Sequence, residues 1–231
     1  MPLAAFDLDN TLLAGDSDYF WGRFLCEQGI VEAEAYAREN RRFYEQYETG
    51  NLDIYEFLAF QLAPLARHEM DQLHAWRETF LTRHIDPIIT PASLRLIERH
   101  RARGDTLLII TATNRFITGP IAERLGVPHL LATEPEQREG RYTGRAAGVP
   151  CFQEGKVTRL QAWLEERNTN LEGSWFYSDS HNDLPLLERV DHPTAVDPDP
   201  TLTRIARERR WPILTLRDGP TPKSLDGEPQ P

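Results

Sequence analysis

Leu3-Ala4-Ala5-Phe6-Asp7-Leu8-Asp9-Asn10-Thr11 is the stretch whose reading decides the fold. Leu3 to Phe6 is a short apolar run, as expected of a buried strand, and it leads straight into Asp7 and Asp9. In a strand, residues i and i+2 point to the same face. At the strand's end, where the chain begins to turn, both carboxylates can face one small space. Paired carboxylates repel, so a cation must neutralise them or one must take up a proton. A hard, oxygen-loving divalent ion such as Mg²⁺ meets that need, because it takes one or two carboxylates together with phosphate oxygens. A plainer reading is a strand followed by an Asp-Asn turn, since both residues start turns readily. The remainder of the chain decides between the two.

The chain has 231 residues and is 40% hydrophobic, enough for a real core in one large domain or two small ones. A formal charge of −10 excludes an electrostatic footprint for nucleic acid or for an anionic membrane surface. No apolar run approaches a membrane span. Met1 leads directly into strand and motif, with neither a basic segment nor a signal-peptide core, so the expected compartment is the cytoplasm. Cys26 and Cys151 are far apart and lack a neighbouring nucleophile motif, which reads as packing in a reducing environment.

From Asp16 to about residue 88 the pattern is helical throughout. Asp16 or Ser17 suits the N-cap of a helix running to about Gln28, with Gly29 just past its end. Trp21 and Leu25, and Phe20 and Phe24, give that helix an apolar stripe. A charged helix from Val31 to about Glu48 keeps Tyr36, Phe43, Tyr44 and Tyr47, and of the aromatics in this region Phe20, Phe24, Phe43, Tyr44 and Tyr47 read as core and not as a substrate box. Asp53 caps a third helix that Pro64 interrupts, and the period resumes from Met70 to Leu81. Thr90-Pro91 starts another helix, closed by Gly104.

Strands then alternate with helices. Thr106–Ile110 and Trp175–Tyr177 are continuous apolar runs, as in strands buried on both faces of a parallel sheet. Residues 127–132 form a further short apolar segment. Residues 134–148 are polar and Gly-rich, with 141–145 as a possible hairpin strand. Residues 194–196 and 213–216 read as strands around a basic helix at 202–210. This order predicts a doubly wound, mostly parallel α/β domain over residues 1–15 and 89–217, with an inserted helical subdomain over 16–88. Residues 218–231, rich in Pro, Gly and Asp, read as a flexible tail.

In such a sheet the ligand site lies at the carboxyl ends of the strands. Asp7 and Asp9 end the first strand, Thr111 ends the strand at 106–110, and Asp179 and Asp183 follow 175–177. Lys156 opens a helix, where its ammonium and nearby N–H groups can share one anion. Acids, a hydroxyl and a lysine that converge in this way suit one task, holding Mg²⁺ and a phosphoryl group.

Four segments carry a resemblance: Phe6-Asp7-Leu8-Asp9-Asn10-Thr11-Leu12, Ile109-Ile110-Thr111-Ala112-Thr113, Gly155-Lys156-Val157, and Ser178-Asp179-Ser180-His181-Asn182-Asp183-Leu184-Pro185. In this order the sequence resembles the haloacid dehalogenase superfamily, in the phosphoserine-phosphatase-like branch (subfamily IB). The resemblance implies a Rossmann-like core with an all-helical cap of the C1 type. It implies Asp7 as the nucleophile that forms an aspartyl-phosphate, and Asp9 as general acid and then base. It implies Mg²⁺ held by Asp7, Asp9 (through its carbonyl) and Asp179. Thr111 and Lys156 would stabilise the phosphoryl oxygens. Asp183 would orient Lys156 or a metal-bound water, and Asn182 would face the phosphate or the cap.

Plain alternatives stand beside these roles. Thr113 competes with Thr111 for the phosphate. Lys156 alone reads as a solvated helix-start lysine, Asp183 alone as a first-turn acid, and His181 as a surface or cap-contact residue. Asp16 and Asp18 suit either helix capping or pairing with a substrate amine. Arg41, Arg42 and Arg115 are candidates for a substrate carboxylate or further phosphate oxygens. The expected function is a Mg²⁺-dependent phosphatase acting on a small phosphorylated metabolite, with phosphoserine and histidinol phosphate as candidates. A phosphotransferase or mutase, and a non-catalytic phosphometabolite-binding protein, are the alternatives. The sequence leaves the oligomeric state open.

Overall fold

The computed structural model describes residues 1–225. Its centre is β1 (Leu3–Phe6), with parallel neighbours β2 (Thr106–Asn114) on one side and β5 (Trp175–Ser178) on the other. Beyond β2 lie β3 (His129–Arg138) and β4 (Arg141–Ala147). Beyond β5 lie β6 (His192–Val196), β7 (Ile213–Thr215) and β8 (Lys223–Ser224). The β3–β4 and β7–β8 pairs are antiparallel and the others parallel. The chain therefore winds both ways from β1, which makes β1 the switch point where such folds bind ligands.

The period of two explains why β1 is apolar at every position. Ala4 and Phe6 enter one hydrophobic layer, whereas Leu3 and Ala5 enter the other. Leu107 and Ile109 divide from Leu108 and Ile110 in the same way. One layer is covered by α7 (Glu154–Glu166), α8 (Leu184–Leu187) and α9 (Pro200–Arg209). The other is covered by α5 (Pro91–Ala102) and α6 (Arg115–Arg124), and it continues into α1 (Ser17–Glu27), α2 (Ala33–Glu48), α3 (Ile54–Arg67) and α4 (Met70–Phe80).

Asp16, Asp53 and Thr90 cap α1, α3 and α5 as the sequence predicts. Helix α3 runs through Pro64 to Arg67, so the proline does not interrupt it. The chain leaves the sheet after Leu13 and returns at Ile89, and these two residues pair with each other. Ala14 N–H also donates to Ile88 O at 2.8 Å.

Two regions differ from the sequence reading. The polar stretch 134–148 belongs to one long hairpin, turned by Glu139 (φ 50°) and Gly140 (φ 77°). Its outer strand lies under α3, where a Cβ at Gly144 would stand 3.2 Å from Ala66 Cβ. The first part of the expected tail is ordered: residues 223–224 pair with β7, because an edge strand's free N–H and C=O groups need partners. Residues 226–231 of that expected tail lie outside the described residues. Among the described residues no helix is long and apolar enough to cross a membrane.

Candidate active site

Strand register builds the site. Phe6 stands opposite Ile109 of β2 and Tyr177 of β5, so Asp7 emerges at the end of β1 with Thr111 and Asp179 one residue further along the neighbouring strands. After Asp7 the chain turns sharply through Asn10, whose φ of 54° is left-handed, a conformation Asn tolerates. The turn carries Asp9 over the strand ends. Arg217, just beyond β7, ties the turn down: its Nη2 donates to Asn10 O (2.5 Å), Thr11 O (3.1 Å) and Leu13 O (2.7 Å).

Lys156 is buried and lies between two acids. Its Nζ is 2.7 Å from Asp7 Oδ1 and 2.7 Å from Asp183 Oδ2. Ser178 Oγ donates to the same Asp183 oxygen at 2.7 Å, so Asp183 positions the lysine. The Thr11 hydroxyl stands between Asp7 Oδ2 (3.3 Å) and Asp179 Oδ1 (3.0 Å) and accepts the Asp179 N–H at 3.0 Å. Asp9 accepts from Ser17 N–H and from Thr113 Oγ1, each at 2.7 Å.

This crowding of buried carboxylates sets their protonation. Burial raises the Asp7 carboxyl to about 7 against the lowering effect of Lys156. Burial also raises Asp9, although its bonds from Ser17 and Thr113 favour the charged form. Asp179 is pushed well up by burial and by the charges of Asp7 and Asp183. Lys156 is raised despite its burial, because Asp183 and Asp7 flank it. An acid shifted by burial toward its protonated form at Asp9, beside a nucleophile that a cation restrains, is an arrangement suited to acid–base and nucleophilic work.

A cavity opens from Asp7 and Asp9 toward the helices. Thr111, Thr113, Lys156, Asp183, Asp16 and Asp18 line it on the polar side. Tyr19, Phe43, Tyr44, Tyr47, Phe57 and Phe152 line it on the aromatic side. Tyr44 and Tyr47 are half-buried and face the cavity, contrary to the core role read from sequence, whereas Phe43 lines the cavity but is itself buried against Phe57 and Phe60, and Phe24 is core and stacks on Trp21. A helical stripe does not reveal whether the surface it meets is solid or hollow.

Four expected binding residues stand elsewhere. Asn182 does not line the cavity: its Oδ1 accepts from Gln153 Nε2 (2.9 Å), and its Nδ2 donates to Tyr47 O (3.1 Å), which ties the strand ends to α2. Arg42 lies on the outer face of α2 and pairs with Glu39 and Glu56. Arg41 faces an outer groove beside it. Arg115 pairs with Glu134 and donates to Leu130 O, at the hairpin. Their long side chains are held by local acids or lie on the solvent side of their helix, which sequence position alone does not show. His181 does meet the helices: a Cβ on Gly50 would stand 2.8 Å from its Nε2.

The sequence reading also left out Thr11, Thr113 as a partner of Asp9, Ser178 and Arg217. Thr11 and Thr113 were within its motifs. Arg217 gave no signal, being more than 200 residues from the turn it holds.

Residues 4–188 match the family of haloacid dehalogenase-like hydrolases. The chain belongs to that family. It is a hydrolase of phosphoric monoesters built on the phosphoserine-phosphatase-like fold. A histidinol-phosphatase of Neisseria meningitidis serogroup C (strain 8013) is 43% identical over 219 residues, covering 93% of this chain and 99% of that protein. A solved structure from Bordetella pertussis Tohama I, described as a protein with unknown function, is 45% identical with a TM-score of 0.87, covering 92% of this chain and 97% of that one. A substrate-bound phosphoserine phosphatase shares the fold, with a TM-score of 0.67 at 18% identity over 88% of this chain and 89% of that one. This haloacid dehalogenase-like hydrolase thus has its buried acids, Lys156 and cavity where the doubly wound sheet puts a ligand.

Proposed function

We propose that this phosphatase hydrolyses L-histidinol phosphate through an aspartyl-phosphate on Asp7, with residues 16–88 acting as the cap of a core formed by 1–15 and 89–217. The observation that carries the substrate choice is that acids line the cavity and no free cation stands among the described lining residues. Asp16 and Asp18 line it, and among the described lining residues Lys156 is the cation, already paired with Asp7 and Asp183. Arg41, Arg42 and Arg115 lie outside it. A phosphomonoester with an amine and no carboxylate suits that wall. Phosphoserine would bring a carboxylate beside buried acids without a free cation. The name of the Neisseria relative supports the same choice.

Asp7 attacks phosphorus as the P–O bond to the substrate alcohol breaks, and Asp9 gives that alcohol its proton. Asp9 then takes a proton from water, whose oxygen attacks the aspartyl-phosphate, releasing phosphate and restoring Asp7. Thr111 and Lys156 stabilise the phosphoryl oxygens.

The donor set suits Mg²⁺. Three buried carboxylates (Asp7, Asp179 and Asp183) and the half-buried Asp9 gather at the strand ends, Lys156 pairs with Asp7 and Asp183, and Asp7 and Asp179 share the Thr11 hydroxyl. Among the described residues no three His, Cys, Asp or Glu side chains form a ready cation cage. Mg²⁺ needs none, since it takes one or two carboxylates and completes its shell with water and phosphate oxygens. Asp7, Asp179 and the Asp9 carbonyl would hold it, and when bound it supplies charge neutralisation for the phosphoryl group.

Phosphate release from L-histidinol phosphate and from O-phospho-L-serine, with Mg²⁺ and with excess chelator, tests this reading. The expected result is the higher kcat/KM on histidinol phosphate, lost on chelation and in Asp7→Asn. Equal or higher kcat/KM on phosphoserine overturns the substrate choice, and release that persists in Asp7→Asn overturns the nucleophile.

A further inference from the structure

Asp18 is a buried carboxyl with an unpartnered oxygen. It lies in the first turn of α1, is only 5% exposed, and lines the cavity. Its Oδ1 is sealed from solvent and receives no hydrogen bond among the described residues. The neighbouring donors are already given to one another: Tyr36 OH to Gln61 Oε1 (3.4 Å), Gln61 Nε2 to Asn40 Oδ1 (3.2 Å), and Asn40 Nδ2 to Tyr19 O (3.1 Å). Asp18 acts on that row, since its charge contributes to the raising of the Tyr36 phenol after burial itself. A buried carboxylate oxygen with no donor costs stability. Such a group at the wall of a ligand cavity is completed when the ligand brings the donor.

The two acids of the wall are also stepped. Burial raises both carboxyls first; after it, Asp9 and Asp7 raise Asp16, whereas Asp16 and Asp9 raise Asp18. Asp18 is thus the one set further from the nucleophile. In histidinol phosphate the amine follows the phosphoester by two carbons and the imidazole lies beyond it, an order that would set the amine against Asp16 and the ring against Asp18. Resting on the reading of this enzyme as a histidinol-phosphate phosphatase, we infer that Asp18 is its specificity-determining residue, accepting the ring N–H of the substrate imidazole against the aromatic wall of Tyr19, Phe43 and Phe57.

The probe pair is L-histidinol phosphate and L-phenylalaninol phosphate, which keeps the phosphate, the spacing and the amine but has no ring N–H. A site built around a hydrogen bond rejects the analogue lacking it, so the parent enzyme is expected to prefer histidinol phosphate by about 100-fold or more in kcat/KM. Asp18→Leu and Asp18→Asn each reduce that ratio, to about tenfold or less for Leu. The loss is carried mainly by KM. Both variants, free of ligand, unfold at a higher temperature than the parent, because the unpartnered buried carboxylate is gone.

A ratio unchanged in both variants, or a lowered unfolding temperature with parallel losses on both substrates, overturns the assignment and makes Asp18 a structural residue. A parent enzyme that cleaves both probes equally also overturns it, while phosphatase action on amine-bearing esters stands. A parent that cleaves other phosphomonoesters and neither probe overturns the substrate reading and the Asp18 assignment together.

Discussion

Thr113 shows how much one hydroxyl decides. It donates to Asp9 Oδ2 at 2.7 Å, a bond that favours the charged carboxylate and so restrains the rise that burial imposes. Thr113→Val keeps the shape and removes the donor. Asp9 is then expected to hold its proton to higher pH, so the limb of the kcat profile set by Asp9 moves upward, and kcat at neutral pH falls by about tenfold or more as proton return to the acid is mistuned. A pH–rate series on the parent and the variant reads both effects. An unmoved limb means that Thr113 does not tune Asp9.

At the scale of elements, the helices are fastened to the sheet domain at a few defined points. Asn182 ties the loop after β5 to the carbonyl of Tyr47 in α2, while Tyr47 itself lines the cavity. Asn182→Ala removes that tie and should raise KM by up to about tenfold, the value of one or two hydrogen bonds, with a smaller change in kcat. Steady-state kinetics on the preferred substrate separate the two constants, and equal losses in both would assign Asn182 to the reaction itself. The second fastening is the passage of β4 beneath α3 at Gly144. With φ at 82° and α3 pressed against the site, Gly144→Ala adds left-handed strain and a tight contact, lowering stability by about 1–2 kcal/mol in chemical denaturation. Unchanged stability would mean that α3 lifts freely off the hairpin.

For the whole molecule, the buried acids link stability to pH. In the fold, Asp7 and Asp16 hold their protons to about pH 7, whereas in the unfolded chain they lose them near 3.8. Between those values the folded state binds more protons, so its stability falls as pH rises through the window. In chelator, the unfolding temperature is expected to drop from pH 5 to pH 8. Mg²⁺ should raise it more at pH 8 than at pH 5, since the ion neutralises carboxylates that are charged only at the higher pH. A flat profile in chelator would mean that these acids ionise inside the fold without cost.

The sequence by itself determined where the first strand and the strand at 175–177 end. An apolar run buried on both faces has one periodicity and one place to stop, and Asp7 and Asp179 stand at the stops of β1 and β5, whereas β2 runs past Thr111 to Asn114. It also determined the helix caps at Asp16, Asp53 and Thr90, because capping is a contact between residues two or three apart. The tertiary structure alone decided which residues of α2 line a cavity, that Asn182 holds Tyr47, that Arg115 is paired with Glu134, and that Arg217 holds the turn after the nucleophile. Periodicity gives the direction a side chain takes from its own element. What it meets depends on elements placed beside it by the winding of the sheet, and long flexible side chains such as arginine go to whichever acid or carbonyl that placement offers.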